Sequence, residues 1–409
     1  MIKKALCLLL TISLILPLVG CWNRKELSEL AIVLAAGLDS TPQGNIVLTI
    51  QIARPNAFGS AQGGQQPGGG GQQNNVWVLS QEGETVMDAI RYLETKVSRH
   101  IYWGHTVILV IGEQLAKEGI RKAINFFSRS PFSRETIWVM VARGQARDVL
   151  NSHSQLENTS AQSAGRMIRA GAGMSVMLKD LSMMLASKGT NPVLPRIELT
   201  PSGTPQGPEM AENIPEAEIN GQERYKIHAE ATLTGTAVFD DDRLVGWLNV
   251  HETRGLLWLL DQITVGEITV PSPVEPDKKI SIDITRGNTR VEPFYDGQDI
   301  WFDVHMDLNG ALWEQQSTEE LTDEQIFAAI EKSTARIIEA CARSVIEKAK
   351  YDYGVDIFGF GEAFHRKYKD AWPALEGNWN EAFVNAGINI KAEATIRRTG
   401  LVTNRISKE

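Results

Sequence analysis

Thiols, imidazoles and carboxylates are the groups in this 409-residue chain that could do chemistry. A cysteine thiolate is both nucleophile and acyl acceptor, so the three cysteines come first: Cys7, Cys21 and Cys341. The histidines stand at 100, 105, 153, 228, 251, 305 and 365, with no HxxxH, CxxC or HExxH spacing among them. His100 and His105 flank Tyr102 and Trp103, which suits packing or surface hydrogen bonding better than metal ligation. His251-Glu252 beside Arg254 has the composition of an acid/base pair, but a carboxylate at a helix start is also favoured by the helix dipole. No Gly-x-Ser-x-Gly elbow and no Walker A sequence occurs. Gly171-Ala172-Gly173 lacks the third glycine of a dinucleotide fingerprint. Gly359-Phe360-Gly361 reads as a chain turn after a helix rather than a phosphate cradle. No catalytic, cofactor-binding or metal-binding residue is assigned.

Cys21 is different because of what precedes it. Lys3 and Lys4 form a positive start, and Ala5 to Leu16 is apolar except for Thr11 and Ser13. That run is shorter than the ~20 residues of a membrane-spanning helix, so it reads as an export signal ahead of an uncleaved anchor. The order Leu18-Val19-Gly20-Cys21 resembles a bacterial lipobox. Such a motif implies removal of residues 1–20, an S-diacylglyceryl group on Cys21 and acylation of its new amine. A lipoprotein cysteine carries enough acyl chain for stable anchoring, since each buried CH₂ contributes about 0.8 kcal/mol. Cys341 is then the one thiol left, so no intramolecular disulfide forms; its place in a periodic helix suggests a small buried apolar residue.

Charge and length narrow the remaining classes. The chain carries −9, and loss of Lys3 and Lys4 takes this to −11. An acidic exported chain without basic runs is a poor nucleic-acid binder. The residues after Gly20 are too many for a single core. The expected class is α+β in three lobes, each a mixed or antiparallel sheet flanked by helices, with a long helix in the C-terminal domain.

The expected domains are 21–150, 151–270 and 271–409. Ala31–Leu38 and Asn45–Ala53 read as strands, and the Gly/Gln tract 57–75 as a flexible insertion at a hairpin tip before the strand Val76–Leu79. Glu84–Ser98 is predicted helical, with Val86, Ile90, Leu93 and Val97 on one face. Thr106–Ile111 and Thr136–Ala142 read as strands, Glu113–Phe127 as one helix, and Asp148–Asn151 as part of another. The Met-rich stretch 175–189 puts Met177, Leu181, Met184 and Leu185 on one packing stripe. Thr200–Gln222 is loop-like by composition. A hairpin over His228–Asp240 and Arg243–Val250 turns at Asp240–Asp242. Pro271–Lys279 reads as a linker. Strands at Ile280–Thr285 and Ile300–Leu308, with room for one more between them, precede a helix opened by a Thr322/Gln325 capping box and carrying Ile326, Ile330, Ile337, Cys341 and Val345. Asn389–Arg398 closes the domain as a strand.

Several separated stretches, in order, resemble the Ger(x)C family, the lipoprotein C subunits of spore nutrient germinant receptors. They are Cys21–Asp39, Trp103-Gly104-His105, Asn191–Pro195 and Gly235–Leu259. Near the end come Asp356-Ile357-Phe358-Gly359-Phe360-Gly361-Glu362, then Trp372, Trp379, Phe383 and Arg397-Arg398-Thr399-Gly400. The Gly/Gln tract is the clearest departure from the pattern. Trp372, Trp379 and Phe383 are expected to pack the C-terminal helices, and Gly359 and Gly361 to permit a tight exit, with Gly361 in a positive-φ turn.

The resemblance implies a lipoprotein anchored through Cys21 on the outer face of the spore inner membrane, acting with membrane-embedded A and B subunits in nutrient-triggered germination. It implies assembly or signalling rather than catalysis. The competing readings are direct capture of a small nutrient, with Trp103, Trp247, Trp301 and Trp313 lining a cleft, and an anchored cell-wall hydrolase.

Overall fold

A computed structural model describes Lys4 and residues 26–54, 75–152, 154, 156–171, 173–201, 229–263, 265–318 and 324–397. The rest of the leader, Cys21, Thr322, Arg398 to Gly400, residues 202–228 and nearly all of the Gly/Gln tract lie outside the described residues.

The first sheet takes β1 (Leu30–Ser40), β2 (Ile46–Ala53), β3 (Val76–Gly83), β4 (His100–Tyr102), β5 (Ile108–Gly112), β6 (Trp138–Ala142), β7 (Val193–Pro201), β8 (Ala229–Asp240) and β9 (Arg243–Leu248). Their order is β3-β2-β1-β5-β6-β7-β8-β9, with β4 beside the start of β1. The centre is parallel (β1/β5, β5/β6, β6/β7) and both flanks are antiparallel. Parallel strands covered on both faces need continuous apolar sequence, and all five residues of β5 are buried. β2 and β3 pair with Ala53 opposite Val76, so the Gly/Gln tract enters and leaves at a hairpin end as expected.

The helices on this sheet are α1 (Val86–Glu94), α2 (Glu113–Glu118), α3 (Arg121–Arg129), α4 (Ala146–Asn151), α5 (Ser160–Arg169) and α6 (Leu178–Ala186). The single helix expected over 113–127 is thus two, because the chain passes Gly119 at a φ of +125°. α6 buries Leu178, Leu181 and Leu185, whereas Met177 serves as its N-cap and Met183 is exposed. The Met-rich stretch is therefore a leucine face with methionines at its edge. The expected boundary at 150 falls within the run of this sheet: β6 before it pairs with β7 after it.

The second sheet is β10 (Glu267–Pro271), β11 (Lys279–Tyr295), β12 (Ile300–Gln315) and β13 (Gly387–Ile396), in that order. β13 runs parallel to β12, the other pairs antiparallel. The expected linker Pro271–Lys279 is the connection between β10 and β11, held by Ser272 Oγ accepting from the Val274 and Glu275 amides. The expected strand at 280–285 is the first third of the 17-residue β11, which carries register shifts near Ser281 and Ile284.

Five helices complete this part: α7 (Val250–Leu259), α8 (Glu324–Lys348), α9 (Phe360–Lys367), α10 (Trp372–Leu375) and α11 (Trp379–Asn385). α8 continues into a π-helical turn, Ala349–Tyr353. It buries Ile330, Thr334, Ile338, Ala342, Val345 and Ile346, a stripe at three- and four-residue spacing facing α7 and β13. Ile337 and Cys341, expected on the buried stripe, sit half-buried beside it. One apolar cluster extends from Ala31 to Ile396, so the two sheets share a continuous core. The α+β class with mixed sheets, flanking helices and a long C-terminal helix is as the sequence implies; among the described residues the sheets number two.

Candidate functional site

Three of the stretches that carried the family resemblance, Asn191–Pro195, Gly235–Leu259 and Asp356–Glu362, meet in space. Asp356 lies between the π turn and α9 and is fully buried. Its Oδ1 accepts from the amides of Phe358 (2.9 Å), Gly359 (3.1 Å) and Phe360 (3.3 Å). Its Oδ2 accepts from Gly361 N (2.8 Å) and from Trp379 Nε1 (2.9 Å). Burial holds the carboxyl above the ordinary aspartate range, against the opposing pull of the Trp379 and backbone donors. A short polar side chain bonding backbone amides ahead of it is the chemistry of an Asx turn. Here the turn also caps the first turn of α9.

The two glycines in this motif work differently. Gly359 is the N-cap of α9 at a φ of +75°. Gly361 lies inside α9 and is absent from the left-handed positions, so its expected positive φ is not observed. Its constraint is contact. A Cβ on Gly361 would lie 2.5 Å from Trp379 Nε1 and 2.6 Å from the Cα and O of Gly189.

That contact joins the second sheet's helices to the segment between α6 and β7. Asn191 N donates to Asp356 O (2.6 Å), and Asn191 Nδ2 donates to Asn380 Oδ1 (2.9 Å). The Asn191 side-chain oxygen accepts from Asp241 N (3.0 Å), at the tip of the β8–β9 hairpin. Asp241 holds a φ of +52° there, which confirms the expected turn. Ser187 Oγ donates to Glu362, and Lys188 pairs with Glu376 at 2.8 Å. That ammonium holds the Glu376 carboxyl below the ordinary range. Arg121 reaches the same tip by pairing with Asp241.

These groups border an open cleft of about 500 Å³, walled by Lys188, Asn191, Asp240, Asp241, Asn378 and Asn380 among others. Trp379 forms part of its floor and belongs to an aromatic cluster with Phe302, Phe364 and Trp372. Trp372, Trp379 and Phe383 are buried, as expected.

The other sequence candidates have local explanations. Glu252 caps α7 by accepting from Asn249 N (2.7 Å) and pairs with Lys348 at 2.8 Å, so it is not partnered with His251. Arg254 donates to the Glu267 carbonyl. His105 meets Tyr102 edge-on at 5.8 Å. Trp103, Trp247, Trp301 and Trp313 are not gathered into one cleft. Trp103 is buried against Phe127, Trp247 lies under Arg196, Trp301 stacks on Phe294, and Trp313 is exposed. Among the described residues no group of three or more His, Cys, Asp or Glu side chains could hold a metal ion. Cys21 and His153 lie outside the described residues.

Sequence reasoning did not foresee the polar cluster of Asn191, Asp241 and Asn380, because its members are 50 to 189 positions apart. For Asp356 a signal was present: an aspartate three residues before a glycine, at a helix start.

Residues 23–199 match the spore germination protein N-terminal domain, and residues 234–400 match the spore germination B3/GerAC-like C-terminal domain. The chain belongs to the Ger(x)C family of spore germination proteins. It is 29% identical to spore germination protein KC of Bacillus subtilis (strain 168) over 418 aligned positions, covering 100% of this chain and 99% of that one. Spore germination protein B3 of the same organism is 22% identical, with 90% and 91% covered. The crystal structure of the GerBC protein shares the fold, with a TM-score of 0.56 over 88% of this chain and 96% of that one at 18% identity.

Proposed function

We propose that this protein is the lipid-anchored C subunit of a spore nutrient germinant receptor, held through Cys21 on the outer face of the spore inner membrane. It acts there by assembly and signalling with the membrane-embedded A and B subunits. The observation that carries this reading is the end-to-end match to spore germination protein KC. The leader and the Leu-Val-Gly-Cys order support the anchor.

The geometry at the junction supports a mechanical role. Asp356, Asn191 and Asn380 spend their hydrogen bonds on one another, on backbone, and on Trp379 and Asp240. A partnered network anchored on a buried carboxylate rigidifies and specifies one arrangement. It transmits position between the two sheets and offers no free base or nucleophile. Tethering raises the effective concentration of the body near membrane partners, so the anchor contributes without contacting them.

Spores lacking this chain should lose their response to nutrient and regain it when the chain is restored. A full response in its absence would contradict the proposal. A second reading, direct capture of a small polar nutrient, is favoured by the cleft beside Asn191 and Lys188. It requires a melting-temperature rise with an amino acid, sugar or nucleoside.

A further inference from the structure

At the start of the first sheet the surface changes character. A broad groove of about 1080 Å³ opens between the start of β1, α1 and α3. Three large apolar side chains stand out at its edges: Leu27 is 69% exposed, Met87 56% and Phe132 65%. Each comes from a different element, so the exposure is not one frayed turn. Phe126 and Ile101 continue the apolar surface inward. Isolated exposed apolar residues are ordinary, but a contiguous set around one groove marks a contact surface.

The charge on the rim differs from that of the chain as a whole. The protein carries −9, yet this groove is bordered by Lys122 and Arg129 against the single carboxylate of Glu94. Apolar side chains beside basic ones suit a surface with an anionic headgroup layer over acyl chains.

The position of the groove selects its occupant. Leu27 lines it, and Cys21 is six residues earlier. An extended chain covers about 3.5 Å per residue, so a lipid on Cys21 keeps Leu27 within about 20 Å of its point of insertion. We infer that this face lies on the membrane, with Leu27, Met87 and Phe132 entering the headgroup–acyl boundary and Lys122 and Arg129 meeting anionic headgroups. The inference rests on the anchored reading of Cys21. It adds an orientation: the body is docked rather than loosely tethered, with the first sheet's β1 end toward the bilayer.

The test uses full-length protein from cells that process lipoproteins, in a Cys341→Ser background, reconstituted into vesicles of phosphatidylcholine and phosphatidylglycerol. An environment-sensitive fluorophore is placed at Met87→Cys, Phe132→Cys or Tyr351→Cys, the last an exposed position on the π turn after α8. Brominated lipids should quench emission at 87 and 132 and leave 351 unchanged. Anchored protein with all three labels unquenched, or all quenched alike, would overturn the docking. Occupation of the groove by a second copy or by a membrane protein would give the unquenched result in these pure lipid vesicles. Mass analysis of Cys21 separates the two claims. If Cys21 is unmodified the anchor fails, and the same labels are then placed in a chain that also carries Cys7→Ser and Cys21→Ser and mixed with the same vesicles. Selective quenching at 87 and 132 there would still uphold the face, and its absence would overturn it.

Discussion

Trp379 Nε1 donates a 2.9 Å hydrogen bond to the carboxylate of Asp356, 23 residues earlier, and both side chains are buried. The bond ties α11 to the turn that starts α9, on the same side where Asn191 crosses from the first sheet. A donor or acceptor left unpaired at such a site costs about 1–3 kcal/mol. Trp379→Phe should therefore lower stability by roughly that amount, and Asp356→Asn by at least as much, because its amide hydrogens would face N–H donors. Urea unfolding midpoints check this. An unchanged midpoint for Asp356→Asn would contradict the assignment.

Gly359 and Gly361 should respond differently to substitution. Gly359 has a φ of +75°, and nothing lies within 4 Å of the place a Cβ would take, so its demand is conformational. Asn, which tolerates the left-handed region, should retain more stability there than Val, with a left-handed penalty of about 1–2 kcal/mol for ordinary residues. Gly361→Ala should destabilise by collision with Gly189 and Trp379 whatever the residue's φ preference. Thermal melts of the four variants Gly359→Asn, Gly359→Val, Gly361→Ala and Gly361→Asn separate the two mechanisms. Equal behaviour at both sites would refute the distinction.

The ion pair of Lys348 with Glu252 joins α8 to the N-terminus of α7. Burial pulls the Lys348 ammonium down, but the Glu252 hydrogen bond and the nearby Tyr353 outweigh it, leaving it above the ordinary value of 10.5. The folded state thus holds this proton more tightly than the unfolded chain. Its contribution is complete below the ordinary lysine range and is lost as pH rises through the raised folded value. Wild-type stability should fall more steeply than that of Lys348→Met above pH 10.5. Parallel pH slopes for the two proteins would remove this pair from the account.

Deleting Ala61–Gln73 should leave the core intact, because Ala53 and Val76 already pair across the base of that connection. A single cooperative unfolding transition near the wild-type midpoint is expected. Its loss would mean that the tract carries structure the strand pairing does not need.

Local pattern made part of this fold readable and left part of it hidden. The β8–β9 hairpin was legible because two alternating apolar strands flank Asp240-Asp241-Asp242. The α8 helix was legible from its apolar period, although the buried stripe centres on Ile338 and Ala342 rather than Ile337 and Cys341. The continuity of β11 was not, because Arg286-Gly287-Asn288-Thr289-Arg290 has no apolar alternation and is held as strand by pairing with β12. The continuity of the first sheet past residue 150 depends on β6 meeting β7 across more than fifty residues, which no local period encodes. The same holds for the junction. Its motifs could be quoted from the sequence, but that Gly189 touches Gly361 follows only from the assembled fold.

The central claim is that the protein works as a membrane-anchored receptor subunit. Its most direct test is nutrient-triggered germination of spores carrying Cys21→Ala, with protein level and membrane fraction followed in the same samples. The account predicts protein that is made but released from the membrane or left as uncleaved precursor, with a reduced response to nutrient. Normal acylation and processing of that variant, or a full nutrient response with the protein off the membrane, would contradict it.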